Sequence, residues 1–193
     1  MRKNLELFFG LFKKPTQAYS RIKAEKPTIL AIIIFFIATF LNFLTMKLLL
    51  NNNPEVREML GQQIKTFENP LVSLILTTLS VLFFTGILYF FSSRKNPNLH
   101  FIDILTANFF SFSPIIILFP LEFIFQKTGL ILPFMLLTWA QLIWSLILLI
   151  IGIKIFAEIE IKDSLIVYIK SGLILLFVLL LFSLIPGKNL PIR

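Results

Sequence analysis

Uncharged polar side chains inside long apolar stretches are the residues of this chain best suited to support chemistry. Asn108, Ser111 and Pro114 lie in one such stretch, and Gln141 and Trp144 lie in the next. In membrane-spanning helices such side chains commonly form interhelical hydrogen bonds, and we favour this interpretation. The alternative is a small polar cavity beside a kink at Pro114, with Gln141 and Trp144 forming its wall. These five residues are the candidate binding cluster.

The placement of the carboxylates argues against ion-coupled transport. Asp103 and Glu122 stand near opposite ends of their apolar stretch, so both are expected to reach the membrane interface. Ion-coupled transporters usually keep an ionisable residue near the midplane. The other polar residues at mid-depth are uncharged as well: Asn42, Thr77, Thr78, Ser80, Ser113 and Ser145.

Residue sets that catalysis would require are missing from the sequence. The chain has no cysteine and one histidine, His100, which is expected in a loop. Its two aspartates, Asp103 and Asp163, are too few for an aspartyl protease or a phospholipid-synthesising transferase, and seven scattered glycines form no phosphate-binding loop. We therefore predict no enzyme activity, no cofactor and no metal site.

Five apolar stretches must position these residues. They run over 28–50, 70–91, 101–125, 130–156 and 165–185, and each is long enough to cross a hydrocarbon core of about 30 Å as a helix. Hydrophobic residues make up 57% of the chain, and the runs do not alternate in polarity as barrel strands would. The predicted fold is all-α: a polytopic integral membrane protein with five transmembrane helices and an amino-terminal amphipathic interfacial helix.

Basic residues predict the orientation. With five spans, twelve of the eighteen Lys and Arg residues fall on the same face of the membrane as the amino terminus. Because Lys and Arg concentrate on the cytoplasmic face, the amino terminus is predicted in the cytoplasm and the carboxyl terminus outside. We divide the chain into an amphipathic lead-in (1–26), a single membrane domain (27–186) and a short external tail (187–193). The lead-in should lie on the membrane with its apolar face toward lipid. Its membrane-surface residues are Lys13, Lys14, Arg21, Lys23 and Lys26.

Local signals refine the spans. Pro114 predicts a kink at 110–114, and Asn69 followed by Pro70 predicts a capped start of the second span. The external loop at 51–69 could contain a short helix at 55–67. Trp139 and Trp144 lie too deep for an interfacial belt, so both are expected to face other helices.

Three passages resemble the Yip-one domain family (Ypt/Rab-interacting proteins), which are compact five-span membrane proteins. They are LFKKPTQAYSRI at 11–22, FIDILTANFFSFSP at 101–114 and WSLILLIIGIK at 144–154. These are similar to the family's proline-then-aromatic lead-in, its third span leading into a proline, and its fourth span with tryptophan, apolar run and glycine.

The resemblance implies a cytosolic amino terminus and a role among trafficking proteins, whose eukaryotic members bind Rab GTPases and shape membranes. Those members carry longer, more acidic tails, whereas this chain has a short basic one, which argues against Rab binding here. Its small size and minimal loops resemble the prokaryotic branch, which implies a bacterial or archaeal plasma membrane. We predict a non-enzymatic protein that organises membrane lipids or other membrane proteins and does not bind nucleic acid. A small permease or channel subunit is the second hypothesis, and an enzyme acting on lipid is the third.

Overall fold

The computed structural model of the 193-residue chain describes residues 2–52, 58 and 69–184. Within them, eight helices follow one another along the chain: α1 Arg2–Lys13, α2 Pro15–Glu25, α3 Thr28–Asn52, α4 Pro70–Ser93, α5 Phe101–Ser111, α6 Ser113–Lys127, α7 Ile131–Ala157 and α8 Ile161–Leu184. Apart from Glu58, the predicted external helix at 55–67 lies outside the described residues, and so does the predicted tail at 187–193.

Five segments are long and apolar enough to cross a membrane: α3, α4, α5 with α6, α7, and α8. Each lies within four residues of its predicted bounds at both ends, as far as the described residues extend. Their outward surfaces carry large apolar side chains such as Ile29, Leu71 and Leu132, which water would penalise and lipid does not. The predicted fold class is confirmed, and the chain is an integral membrane protein.

The third span is interrupted at Phe112, as its proline predicts. The helix α5 ends at Ser111 and α6 begins at Ser113, with Pro114 in its first turn. Pro114 has no N–H to donate to the preceding turn and its ring excludes the carbonyl there, so the chain restarts a helix instead of continuing one. This broken span contacts α3, α4 and α7. Half of its apolar stretch is buried, against 11–28% in the other four spans, so it is the core of the bundle.

Asn69 caps α4 in the predicted manner. Its side-chain oxygen accepts hydrogen bonds from the backbone N–H groups of Leu71 at 3.0 Å and Val72 at 3.4 Å. Pro70 occupies the first turn, where a missing N–H costs nothing.

The bundle has two distinct ends. The proximal end carries the short α4–α5 and α7–α8 connections, and the distal end carries the α6–α7 connection. On the proximal side α4 packs on α5 and α8. Its contacts with α3 and α7 are much fewer, and grooves remain on both sides of it.

Candidate functional site

The helices α1 and α2 form a hairpin that packs along α7. Lys23, near the end of α2, reaches the last turn of α7, while Phe12, at the end of α1, stacks on Trp144 with ring centroids 6.5 Å apart. Ala157 lies thirteen positions after Trp144 on α7, so the hairpin follows that helix for about 20 Å. The amphipathic pattern is confirmed, but much of its apolar face rests on protein and not on lipid.

Residues on both helices of the hairpin are fully or nearly fully buried. These are Leu7 and Leu11 of α1 with Ala18, Tyr19 and Ile22 of α2. Leu5 and Phe9 of α1 stay about half exposed and are available to contact lipid. The hairpin is therefore an integral part of the bundle that keeps one interfacial edge.

Tyr19 is the main contact between the hairpin and the central helices. Its ring has no exposed surface, and its hydroxyl donates a hydrogen bond to the carbonyl oxygen of Ala107 at 3.2 Å. Gly152 leaves the space that the ring fills, and Phe156 packs edge-on against it at 6.4 Å. Burial raises the pKa of the Tyr19 hydroxyl, so the group remains a neutral donor.

Lys23, one of the predicted membrane-surface residues, contacts the end of α7. Its Nζ donates to the carbonyl oxygens of Ile155 at 3.0 Å and Phe156 at 3.3 Å, and it pairs with Glu158. The carboxyl-terminal end of a helix leaves its last carbonyls without partners and carries partial negative charge. The Lys23 ammonium group therefore supplies N–H donors to those carbonyls and a positive charge beside them. The other predicted surface residues, Lys13, Lys14, Arg21 and Lys26, are exposed.

The Lys23–Glu158 pair predicts an acid-sensitive hairpin. The hydrogen bond from Lys23, and then its charge, lower the pKa of the Glu158 carboxyl below its ordinary value of 4.5. A depressed folded-state pKa means that the stabilisation is complete above 4.5 and is lost as the pH falls through the lower, folded value. We expect the fluorescence of Trp144, in a Trp139→Phe background, to report loosening of the Phe12 contact in acid. Glu158→Gln should remove this pH dependence, and an unchanged acid transition in that variant would contradict it.

The predicted binding cluster is only partly brought together. Asn108, Ser111 and Gln141 line a largely apolar groove of about 820 Å³ bounded by α4, α7 and α8. Asn108 Nδ2 donates to Thr85 Oγ1 of α4 at 2.8 Å, and Ser111 Oγ donates to the Asn108 carbonyl oxygen at 2.6 Å. Both side chains thus form hydrogen bonds within the protein. Pro114 is fully buried and does not line this groove.

The tryptophans differ from expectation. Trp139 is 61% exposed at the edge of the 820 Å³ groove, so the prediction that it packs inside against other helices is wrong. Trp144 does pack inside, but its neighbour is Phe12 of the hairpin and it does not line the 820 Å³ groove. The depth of the two tryptophans in the membrane did not predict which way each side chain points around the helix. At 3.6 residues per turn, side chains five residues apart lie on different sides of a helix.

Glu122 is the functional candidate that sequence reasoning missed. It is 2% exposed and lines a cavity of about 290 Å³ between α3, α4, α6 and α7, so it faces the inside of the bundle and not the lipid or water around it. Eight of the twelve lining residues are polar: Thr39, Asn42, Thr45, Ser73, Thr77, Glu122, Thr138 and Gln141. The sequence offered one signal for this position. Glu122 lies four residues before Gln126, so both side chains lie on one face of the helix and face the same neighbouring helix.

Hydrogen bonds join α3 and α6 at the distal side of this cavity. Gln126 Nε2 donates to the Thr45 carbonyl oxygen at 3.0 Å, and Asn52 Nδ2 donates to the Gln126 carbonyl oxygen at 3.2 Å. These bonds hold the distal part of α6 against α3. The Glu122 side chain is thereby kept facing the cavity between the helices.

These features define the class: a five-span α-helical membrane protein with a broken central span and an amino-terminal hairpin packed on the bundle. The sequence model of the Yip1 domain matches residues 9–184. The chain therefore belongs to the Yip1 domain family, and the resemblance seen in its sequence is confirmed. The match includes most of the hairpin and reaches the end of α8. Comparisons with curated proteins and with solved structures returned no match.

Proposed function

We propose that this protein is a non-enzymatic membrane organiser whose hairpin gathers anionic lipids on the cytoplasmic side. The observation that carries this proposal is the hairpin itself, which packs on α7 while Lys13, Lys14, Arg21 and Lys26 stay exposed. Exposed Lys and Arg residues near a membrane surface attract anionic headgroups by about 1 kcal/mol each. Leu5 and Phe9 add an apolar edge to the same element. Protein partners that recognise such a surface are the second class of ligand.

The proposal includes an orientation in a bacterial or archaeal plasma membrane. The hairpin side carries most of the Lys and Arg residues, which favours a cytoplasmic amino terminus and an external carboxyl terminus. Because the chain has no cysteine, single Lys14→Cys and Lys127→Cys variants can be labelled selectively. An impermeant maleimide applied to intact cells should label the second variant alone, and labelling of the first would reverse the orientation.

Charge reversal on the hairpin tests the organising role. We expect wild-type protein in liposomes to increase self-quenching of fluorescent phosphatidylglycerol, because clustered basic residues concentrate anionic headgroups. The triple variant Lys13→Glu, Lys14→Glu, Arg21→Glu should lose most of that increase. Lys47→Glu with Lys127→Glu, which alters the distal end, should keep it. Equal quenching in the triple variant and in wild type would refute the proposal.

A small permease is the second candidate function, and Glu122 is the observation that favours it. Ion-coupled transporters keep ionisable groups inside the membrane domain, and Glu122 is a buried carboxylate that lines a cavity between four spans. Solute uptake by proteoliposomes that is abolished by both Glu122→Gln and Gln141→Leu would establish this function in place of the first.

A further inference from the structure

Glu122 is a buried carboxylate without a cationic partner among the described residues. Its one described polar contact is Thr138, whose hydroxyl lies 3.5 Å from Oε1. That hydroxyl has a single hydrogen, and it is 3.0 Å from the Phe134 carbonyl oxygen, so it donates there preferentially. Lys47 and Lys127, the described cations of the distal end, are exposed, and Lys127 lies over the ring of Phe123. An isolated buried charge is costly, so the carboxyl requires a proton or a cationic ligand.

Two more polar atoms in the same cavity lack partners. Gln141 Oε1 and Thr39 Oγ1 are buried and form no described hydrogen bond, and both residues are more than nine-tenths buried. Unsatisfied buried polar groups are uncommon in folded proteins and mark places where a ligand or water completes the bonding. The cavity therefore presents three acceptors: Glu122, Gln141 and Thr39. A primary ammonium group has three N–H donors and one positive charge, which matches this set.

The cavity is much larger than a bare inorganic ion. Its volume of about 290 Å³ corresponds to roughly ten times the 30 Å³ that one water occupies in the liquid. A headgroup of several non-hydrogen atoms fits this space, and its further polar atoms would meet Asn42, Thr45 and Thr77.

Apolar grooves adjoin the cavity on both sides of α4. The 820 Å³ groove shares Thr77 and Gln141 with it, and a groove of about 350 Å³ between α3 and α4 shares Thr39 and Ser73. Both grooves are lined mainly by apolar side chains and face the lipid. A ligand held in the cavity can thus extend apolar chains past either edge of α4 into the bilayer.

We propose that the Glu122 cavity binds the primary-ammonium headgroup of a membrane lipid, with its acyl chains in the grooves beside α4. Glu122 faces the ammonium charge, and Gln141 and Thr39 accept its remaining N–H groups. This site is separate from the basic hairpin, so the two proposals stand or fall independently.

Lipid selectivity of the purified protein tests the proposal. Delipidated protein is titrated with phosphatidylethanolamine, and bound lipid is counted by native mass spectrometry. Phosphatidylcholine, whose trimethylated nitrogen has no N–H, and phosphatidylglycerol, which has no amine, are the comparison lipids. We expect phosphatidylethanolamine to bind preferentially and to raise the unfolding temperature. Glu122→Gln should weaken its binding about ten- to hundredfold, as expected for loss of a hydrogen bond to a charged group.

Control variants keep the result interpretable. Glu160→Gln removes an exposed carboxylate of the α7–α8 connection and should bind phosphatidylethanolamine like wild type. Glu122→Gln preserves side-chain shape, and without lipid it should unfold at the wild-type temperature or above it, since no buried charge remains. If that variant fails to fold, Gln141→Met supplies the second test and should also bind the lipid less tightly.

Other outcomes overturn the proposal. Equal binding of the three lipids, or unchanged lipid binding in Glu122→Gln, would show that Glu122 holds only a proton. If free ethanolamine raised the unfolding temperature as much as the intact lipid, the ligand would be a soluble amine. If sodium ions alone raised it, the site would be inorganic. Loss of hairpin-dependent lipid clustering would leave this site unaffected.

Discussion

Tyr19→Ala is expected to detach the amino-terminal hairpin from the bundle and to lower the free energy of unfolding by about 3–5 kcal/mol. The ring of Tyr19 is completely buried between Gly152 and Phe156, and its hydroxyl bonds to Ala107. Alanine would leave a ring-sized cavity at the point where α2 meets α5 and α7. The neighbouring backbones belong to long helices and cannot collapse into it.

Tyr19→Phe separates packing from hydrogen bonding at this position. It keeps the ring and removes one hydroxyl, so it should cost about 1 kcal/mol. Denaturant unfolding in detergent measures both losses, and hydrogen exchange of α2 backbone amides reports detachment directly. Tyr19→Ala should exchange far faster than Tyr19→Phe. Similar exchange in the two variants would contradict the assignment of Tyr19 as the main contact of the hairpin.

Gly152→Ala is expected to destabilise the same junction by about 1–3 kcal/mol through overpacking. A Cβ added at Gly152 would lie 2.9 Å from Ala107 Cβ and 3.2 Å from both Cε1 and Cζ of Tyr19. Neither neighbour can retreat, because Ala107 Cβ is fixed to the α5 backbone and the Tyr19 ring is enclosed. Helix propensity alone would favour alanine here, so steric exclusion must outweigh that gain.

Gly172→Ala is the matched control for this substitution. Gly172 also lies within a spanning helix, and a Cβ there would meet nothing within 4 Å. Its replacement should leave stability unchanged or raise it by up to about 1 kcal/mol. The second change Ala107→Gly should partly restore Gly152→Ala, since it removes the closest clashing atom. Destabilisation by Gly172→Ala equal to that of Gly152→Ala would show that glycine flexibility, and not close packing, is the cause.

Features that depend on neighbouring residues in the chain were predictable. The five spans follow from apolar length, the break at Phe112 follows from Pro114, and the start of α4 follows from Asn69 and Pro70. The final helix α8 begins four residues before its predicted start because Lys162 and Asp163 continue the helix ahead of its apolar part. In each case the cause is local: hydropathy, a missing N–H or a capping side chain.

Features that depend on which helix faces which were not predictable. Glu122 stands between Leu121 and Phe123 near a helix end, where an interfacial position was the reasonable expectation, yet it faces the inside of the bundle. Lys23 was expected to meet headgroups, yet it completes the carbonyls at the end of α7. Charge and depth constrain how far a side chain lies along the membrane normal and leave its direction around the helix open.

The sequence by itself determined that this chain crosses a membrane five times, where its central span breaks, and the family to which it belongs. Tertiary structure alone decided that Tyr19 joins the hairpin to the core and that Glu122, Gln141 and Thr39 line one cavity. The physical reason is that lipid solvates apolar side chains without distinguishing one helix face from another. Hydropathy can therefore specify insertion, whereas the assembly of a site requires the contacts between helices.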